Sequence, residues 1–429
     1  MTQRMHEENA AFPLSQSQQN IWDLEKAYSG TSINHITTSV RIQGQFRLDL
    51  LQKSIRLLLE SDSSLRTRIE MREGKLVQYI VPMEEEAVPV FDFSLSGQDG
   101  VENWAQALAR EPMPVLGGAL CRFWLFKTGE NDGGILMKLH HLISDGWSSI
   151  LLSNRITDCY QKLVRKQSLS PEKGPQYLKY LQASARYERS PRYESDRLFW
   201  ERKMQNLPEK SALKDYSLGN IGIAGDRKTY VMPEETASLL RNYCAENNVT
   251  IFSLLLSALA LYVHRLTGLD RMVFGVPILN RSTYEEKNTI GMFVSTIPMV
   301  VDVDEQMTFS EFNAYLLGEW MQILRHQRFP YNRILQIARS KNGPIERLFD
   351  ITLSYQCSHF AQDEEGTRIT HEGRWHYSGC QAEPICIHIN ERENDGRLII
   401  DYDFLVQIFT HKEIEYVHTH VMNLLQNAI

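Results

Sequence analysis

Two adjacent histidines, His140 and His141, followed by Asp145 and Gly146, form the stretch of this chain with the most chemistry in it. Imidazole is the side chain whose ordinary pKa lets it trade protons near neutral pH, so a histidine fixed at the mouth of a cleft suits general acid–base work. Asp145 is placed to turn back and orient the loop, or to cap a following helix. Gly146 permits a backbone angle that other residues resist, and its amide is a candidate to steady a developing oxyanion. The competing structural reading is a pair of hydrogen-bonded core histidines and a helix cap. Ser148 and Ser149 stand close by, but no Gly-x-Ser-x-Gly elbow accompanies them, and capping duty explains a serine there. His371, His376 and His388 lack ligand spacing, so no metal site is expected.

The elements on either side must hold these groups. Gly134–Leu139 is an apolar run that reads as a buried strand, and the amphipathic run from the Asp-Gly pair to about Leu163 reads as a helix. Upstream, Ser15-Gln16-Ser17-Gln18 has the spacing of a capping box and opens a helix carrying Ile21, Trp22, Leu24 and Tyr28. Ile36, Thr38, Val40 and Ile42 alternate as a half-buried strand, and Asp49 can cap a helix carrying Leu51, Ile55, Leu58 and Leu59. Strands Leu65–Ile69 and Leu76–Val81 flank Glu73-Gly74, a hairpin signal. A short helix near Trp104 and a strand Leu120–Lys127 lead into the histidine strand. Strands and helices interleave, so the class is α/β.

Arg165–Pro175 is polar, with two prolines and a glycine, and divides the chain into lobes of residues 1–170 and 171–429. In the second lobe the helical run Gln176–Gln205 precedes a strand near Tyr230, helices Glu234–Glu246 and Ile251–Leu266, and a strand Met272–Val276. Strand Thr296–Val303, helices near Phe309–Leu324 and Ile334–Ala338, strands Phe349–Tyr355, Cys386–Ile389 and Leu398–Tyr402, and a last helix complete it.

The chain has 429 residues, 42% of them hydrophobic and 23% charged, enough for two cores of about 200 residues each. A net charge of −7 offers no basic field for nucleic acid or anionic lipid. The opening residues contain no apolar signal segment, and Phe252–Val263, the most apolar run, falls well short of the roughly 20 residues that span a bilayer. Thr250 is its candidate cap. Six scattered cysteines without a Cys-x2-Cys pair argue against a disulfide framework and for a reducing, cytoplasmic setting.

The string His140–Ser148 resembles the His-His-x3-Asp-Gly signature of condensation domains of nonribosomal peptide synthetases, relatives of chloramphenicol acetyltransferase. Further motifs follow in order. Ser15, Gln18 and Trp22 fit the family's first motif, and Leu65-Arg66-Thr67 fits the end of the second, with Ser61-Asp62-Ser63-Ser64 replacing the charged residues usual before it. Ile290–Thr296 is similar to Ile-Gly-x-Phe-Val-Asn-Thr, with Ser295 in place of Asn; His326–Tyr331 resembles His-Gln-x-x-Pro-Phe; Leu348-Phe349-Asp350 resembles the last motif weakly.

The resemblance implies an α/β sandwich fold: two chloramphenicol-acetyltransferase-like lobes in a V-shaped pseudo-dimer with a central tunnel, a floor loop near Ile290–Thr296 and a latch from the second lobe. It implies acyl transfer that forms an amide between a donor acyl or peptidyl thioester and the amine of an aminoacyl acceptor. Both are delivered on phosphopantetheine arms of donor and acceptor carrier proteins, beside neighbouring synthetase domains, with no intrinsic cofactor. The resemblance makes His141 the proton-handling residue and His140 its brace. Asp145 is paired with Arg281 from the other lobe, and Arg66 is a second internal ion-pair residue. Trp147, Ser148 and Ser295 would line the tunnel. An isolated domain of this kind is expected to be a monomer, without nucleic-acid or membrane partners. A starter-type domain taking a fatty or aryl acyl donor is one variant; the chain begins about a dozen residues before the first motif, which suits either a synthetase N-terminus or an excised domain. The alternatives are an epimerisation domain, a non-catalytic recruitment module for tailoring enzymes, and a free-standing acyltransferase. Epimerisation domains usually continue Asp-Gly-Val-Ser-Trp, whereas Asp145-Gly146 is followed here by Trp147-Ser148-Ser149. Recruitment modules tend to lose the second histidine or the glycine, and both are present.

Overall fold

A computed structural model describes residues 11–44, 46–84, 87–169, 174, 176–208, 210–216, 221–357, 370–391 and 397–429. The chain folds into two compact units. The first comprises Met1–Glu188, Arg281–Phe293 and Ser358–Gly379; the second comprises Arg189–Asn280, Val294–Cys357 and Cys380–Ile429. The first unit is thus assembled from three stretches, where a single cut near residue 170 was expected. Part of the expected boundary, residues 170–173 and 175, lies outside the described residues.

In the first unit the main sheet runs in the order Thr370–His376, His35–Gln43, Asp132–His140, Cys121–Gly129, Val90–Asp92. All its pairs are antiparallel except the last. On one face Val40, Ile42, Ile135, Met137 and Leu139 bury against Leu51 and Ile55 of helix Leu48–Ser61 and Leu152 and Ile156 of helix Gly146–Val164. The other face carries helix Gly97–Arg110, whose C-terminal carbonyls of Leu108 and Glu111 receive the buried Lys138 ammonium. Because helices cover both faces, His35–Val40 is buried at every position, not alternately as expected. Asp49 lies in the first turn of its helix, beside Arg47, and does not cap it. The smaller sheet joins Phe12–Pro13, Lys75–Ile80 and Thr67–Arg72 through the Glu73-Gly74 turn, both residues having positive φ (50° and 75°), as a twisted two-residue hairpin requires.

The second unit holds a six-stranded mixed sheet in the order Ser295–Asp302, Arg271–Ile278, Ile351–Gln356, Ile385–Asn390, Ile399–Leu405, Gly225–Val231. Its core packs Val273, Leu353, Ile387, Ile400 and Tyr402 with helices Ile251–Thr267, Phe309–Arg325 and His411–Ala428. Thr250 caps the first of these helices in a full capping box with Ser253. The helical run expected over 176–205 forms two helices, Tyr177–Tyr187 and Pro191–Lys203, because Ser190 caps and Pro191 starts a new helix. Among the described residues no single helix is long and apolar enough to cross a membrane.

Candidate active site

Strand Asp132–His140 ends at the first histidine, and Asp145 caps the helix that begins at Gly146, so residues 141–144 form a four-residue bridge between two rigid elements. Asp145 Oδ1 accepts the Ser148 amide at 2.8 Å. Its Oδ2 accepts Arg281 Nη1 at 2.6 Å and the Phe293 amide at 3.0 Å, and both members of the ion pair have fully buried side chains. Burial alone would raise the Asp145 carboxyl, but the Arg281 guanidinium and the two amides more than offset it and hold it below the usual carboxylate range. Arg281 also stacks over the Phe293 ring, 3.9 Å from its centroid. The partner expected from the other lobe therefore arrives on a stretch, Arg281–Phe293, that packs as part of the same unit as the histidines.

His141 Nδ1 lies 3.2 Å from the Ser144 carbonyl oxygen, which can only accept, so Nδ1 carries the hydrogen. Nε2 has no hydrogen-bond partner among the described residues. Burial first, and the neighbouring His140 second, push the His141 pKa down to about 4, which leaves Nε2 with a free lone pair at neutral pH. His140 is fully buried and turned the other way. Its Nδ1 accepts the Leu142 amide at 3.0 Å, and Nε2 faces Glu25 Oε2 at 3.3 Å.

Gly146 does not have positive φ. It is the first helical residue, and a Cβ there would rest 3.6 Å from the Trp375 ring, so conformational freedom is not what this position needs. Trp147 is partly exposed, its indole N–H donating to the Lys287 carbonyl at 2.8 Å. Ser148 is fully buried. Its hydroxyl donates to the Gly291 carbonyl (2.8 Å) and accepts the Gly291 amide (3.0 Å) and Arg281 Nη2 (2.9 Å), so it ties down the loop instead of lining a tunnel. Ser295 is the first residue of its strand in the second unit, 9% exposed. Arg66 donates to the carbonyls of Leu59 and Val81 at 3.0 and 2.6 Å.

The first helix supplies contacts that sequence reasoning missed. Gln18 Nε2 donates to the Leu142 carbonyl at 2.7 Å and also bonds Gln78. Glu25 accepts from Asn34 Nδ2 at 2.9 Å, and the Asn34 carbonyl accepts the His141 amide at 2.8 Å. Gln18 and Glu25 share the inward stripe of the helix with Ile21 and Trp22, and polar groups at such positions were the available signal. Tyr177 OH joins Ser15 Oγ (3.0 Å) to the Met292 carbonyl (2.6 Å).

Comparison with known proteins agrees in family and fold. The sequence pattern of the condensation domain matches residues 8–429. Surfactin synthase subunit 1 of Bacillus subtilis is 28% identical over 423 residues, which is 97% of this chain and 12% of the synthase. The dimodular nonribosomal peptide synthase of the same organism is 23% identical over 419 residues, 97% of this chain and 17% of the synthase. The chain thus spans a small fraction of the curated relatives it matches. The starter condensation domain of rhizomide synthetase RzmA, in complex with C8-CoA, superposes with a TM-score of 0.85 at 20% identity, over 98% of this chain and 95% of that one.

Proposed function

This chain belongs to the condensation domain family of nonribosomal peptide synthetases, and from that premise we propose that it joins a donor acyl or peptidyl thioester to the amine of an aminoacyl thioester. In this reading both substrates arrive on phosphopantetheine arms of carrier proteins and are already activated, so alignment and the fate of one proton are the main tasks. The observation that carries the reading is the geometry of His141: Nδ1–H is held by the Ser144 carbonyl and Nε2 has no partner among the described residues, while burial, which pushes the pKa down to about 4, favours a free Nε2 lone pair at neutral pH. Nε2 accepts a proton from the acceptor amine as its nitrogen attacks the donor carbonyl. The C–N bond forms, the C–S bond breaks, and the proton passes to the departing thiolate of the donor arm. Gly146 is at the first helical position, where amides lie outside the intrahelical ladder, which suits its amide to the developing oxyanion.

The test is intact-mass analysis of an aminoacyl-loaded acceptor carrier mixed with donor carriers bearing peptidyl, fatty acyl and aryl acyl groups, for the wild type and His141→Ala. Acyl mass gained by the acceptor and reduced about 10²-fold or more in the variant supports condensation. Gain only from fatty or aryl donors marks a starter-type domain. No gain, with solvent deuterium entering the α-carbon of a carrier-bound residue, means epimerisation; carrier binding with neither signal means a recruitment module.

A further inference from the structure

We propose that Glu25 is a positioning residue for His141, holding the backbone on both sides of it through Asn34 and His140. This rests on the reading of His141 as the proton-handling group. Glu25 is 5% exposed, deep under the first helix, and its Oε2 receives two donors, Asn34 Nδ2 at 2.9 Å and His140 Nε2 at 3.3 Å. Each donor side chain belongs to a residue that grips the histidine loop. The Asn34 carbonyl holds the His141 amide at 2.8 Å, and His140 Nδ1 holds the Leu142 amide at 3.0 Å. The amides immediately before and after the His141 α-carbon are therefore both fixed by groups that converge on one carboxylate oxygen.

The arrangement works in only one tautomer. Because Nδ1 of His140 accepts an N–H, its hydrogen sits on Nε2, and Nε2–H needs a buried acceptor, which Glu25 supplies. Without that acceptor the opposite tautomer becomes available. It places an Nδ1–H against the Leu142 N–H, two donors facing each other in a site closed to water, and the loop must shift to separate them. His141 carries the opposite tautomer, set by the Ser144 carbonyl. Two adjacent histidines with opposite, separately enforced tautomers explain why both are present when a single one handles the proton. Displacement of about 1 Å at a reacting group costs on the order of 10²-fold in rate. What Glu25 supplies is an acceptor oxygen, so glutamine, which also offers one, should replace it.

The experiment uses the full chain, selectively 15N-labelled at histidine, with carrier-loaded substrates. In the wild type, long-range proton–nitrogen spectra should show an Nε2–H tautomer for His140 and an Nδ1–H tautomer for His141. The Glu25→Leu variant should populate the other tautomer of His140 and lose roughly 10²-fold in kcat with KM for either carrier within about threefold. The Glu25→Gln variant should keep the wild-type tautomers and kcat within about fivefold. An Nδ1–H tautomer of His140 in the wild type overturns the proposal, whether or not Glu25→Leu folds. So does a folded Glu25→Leu with wild-type kcat, or a loss of kcat in it without a change at His140. Full activity in His141→Ala would sink the catalytic reading instead, and the tautomer spectra separate that failure from this one.

Discussion

At the scale of single residues the site is governed by burial. Asp145 and Arg281 are both fully enclosed, and a buried ion pair has its largest consequence when one partner is removed. Arg281→Ala leaves the Asp145 carboxylate uncompensated and should cost about 3–5 kcal/mol in chemical denaturation, with Asp145→Asn/Arg281→Ala losing less than the sum of the single changes. His141 gives a pH dependence of definite sign. Its folded pKa of about 4 lies below the ordinary histidine value, so the unfolded chain binds the proton first as pH falls. Its contribution is complete above about pH 6.5 and is lost progressively toward pH 4. His35 and His418, pushed by burial to about 2 and about 4, slope the same way. Urea midpoints at pH 7.5 and pH 5.0 should therefore differ in the wild type and differ less in His141→Ala.

At the scale of elements, the loop around Gly291 is locked by close approach. A Cβ at this position would sit 2.1 Å from the Tyr177 ring, whose hydroxyl is itself bonded to Ser15 and to the next carbonyl along the loop. Gly291→Ala should destabilise by about 1–3 kcal/mol in thermal or urea unfolding, and adding Tyr177→Ala should recover part of that loss by opening the space. The capping box at Ser15, the histidine strand and the Asp145 helix were legible because capping and apolar runs are local signals. The burial of both faces of His35–Val40 was not, since Thr37 and Ser39, on the face opposite Ile36, Thr38 and Val40, are polar in sequence. Strand Thr370–His376 was missed for a related reason. It is a polar strand, THEGRWH, defined by its pairing with His35–Gln43 and not by its own pattern. Likewise Arg281 was matched by motif but assigned to the other lobe, because the contacts that place it with the histidines are 136 residues away.

At the scale of the whole molecule, the first unit is completed by two returns of the chain, Arg281–Phe293 and Ser358–Gly379. A fragment ending at Glu188 keeps both histidines and Asp145 but lacks the arginine, the Phe293 amide and the edge strand Thr370–His376. Such a fragment should show no cooperative unfolding transition in circular dichroism; a sharp two-state melt would show that residues 1–188 are self-sufficient.

The same topology sets a timetable on the ribosome. Asp145 is made 136 residues before its partner, which at 5–20 residues per second is a delay of roughly 7–27 s. Throughout that interval the carboxylate that later sits beside the histidines lacks both the Arg281 guanidinium and the Phe293 amide that hold it in the finished fold. The last step in building the histidine site is therefore the arrival of a residue made long after the histidines themselves.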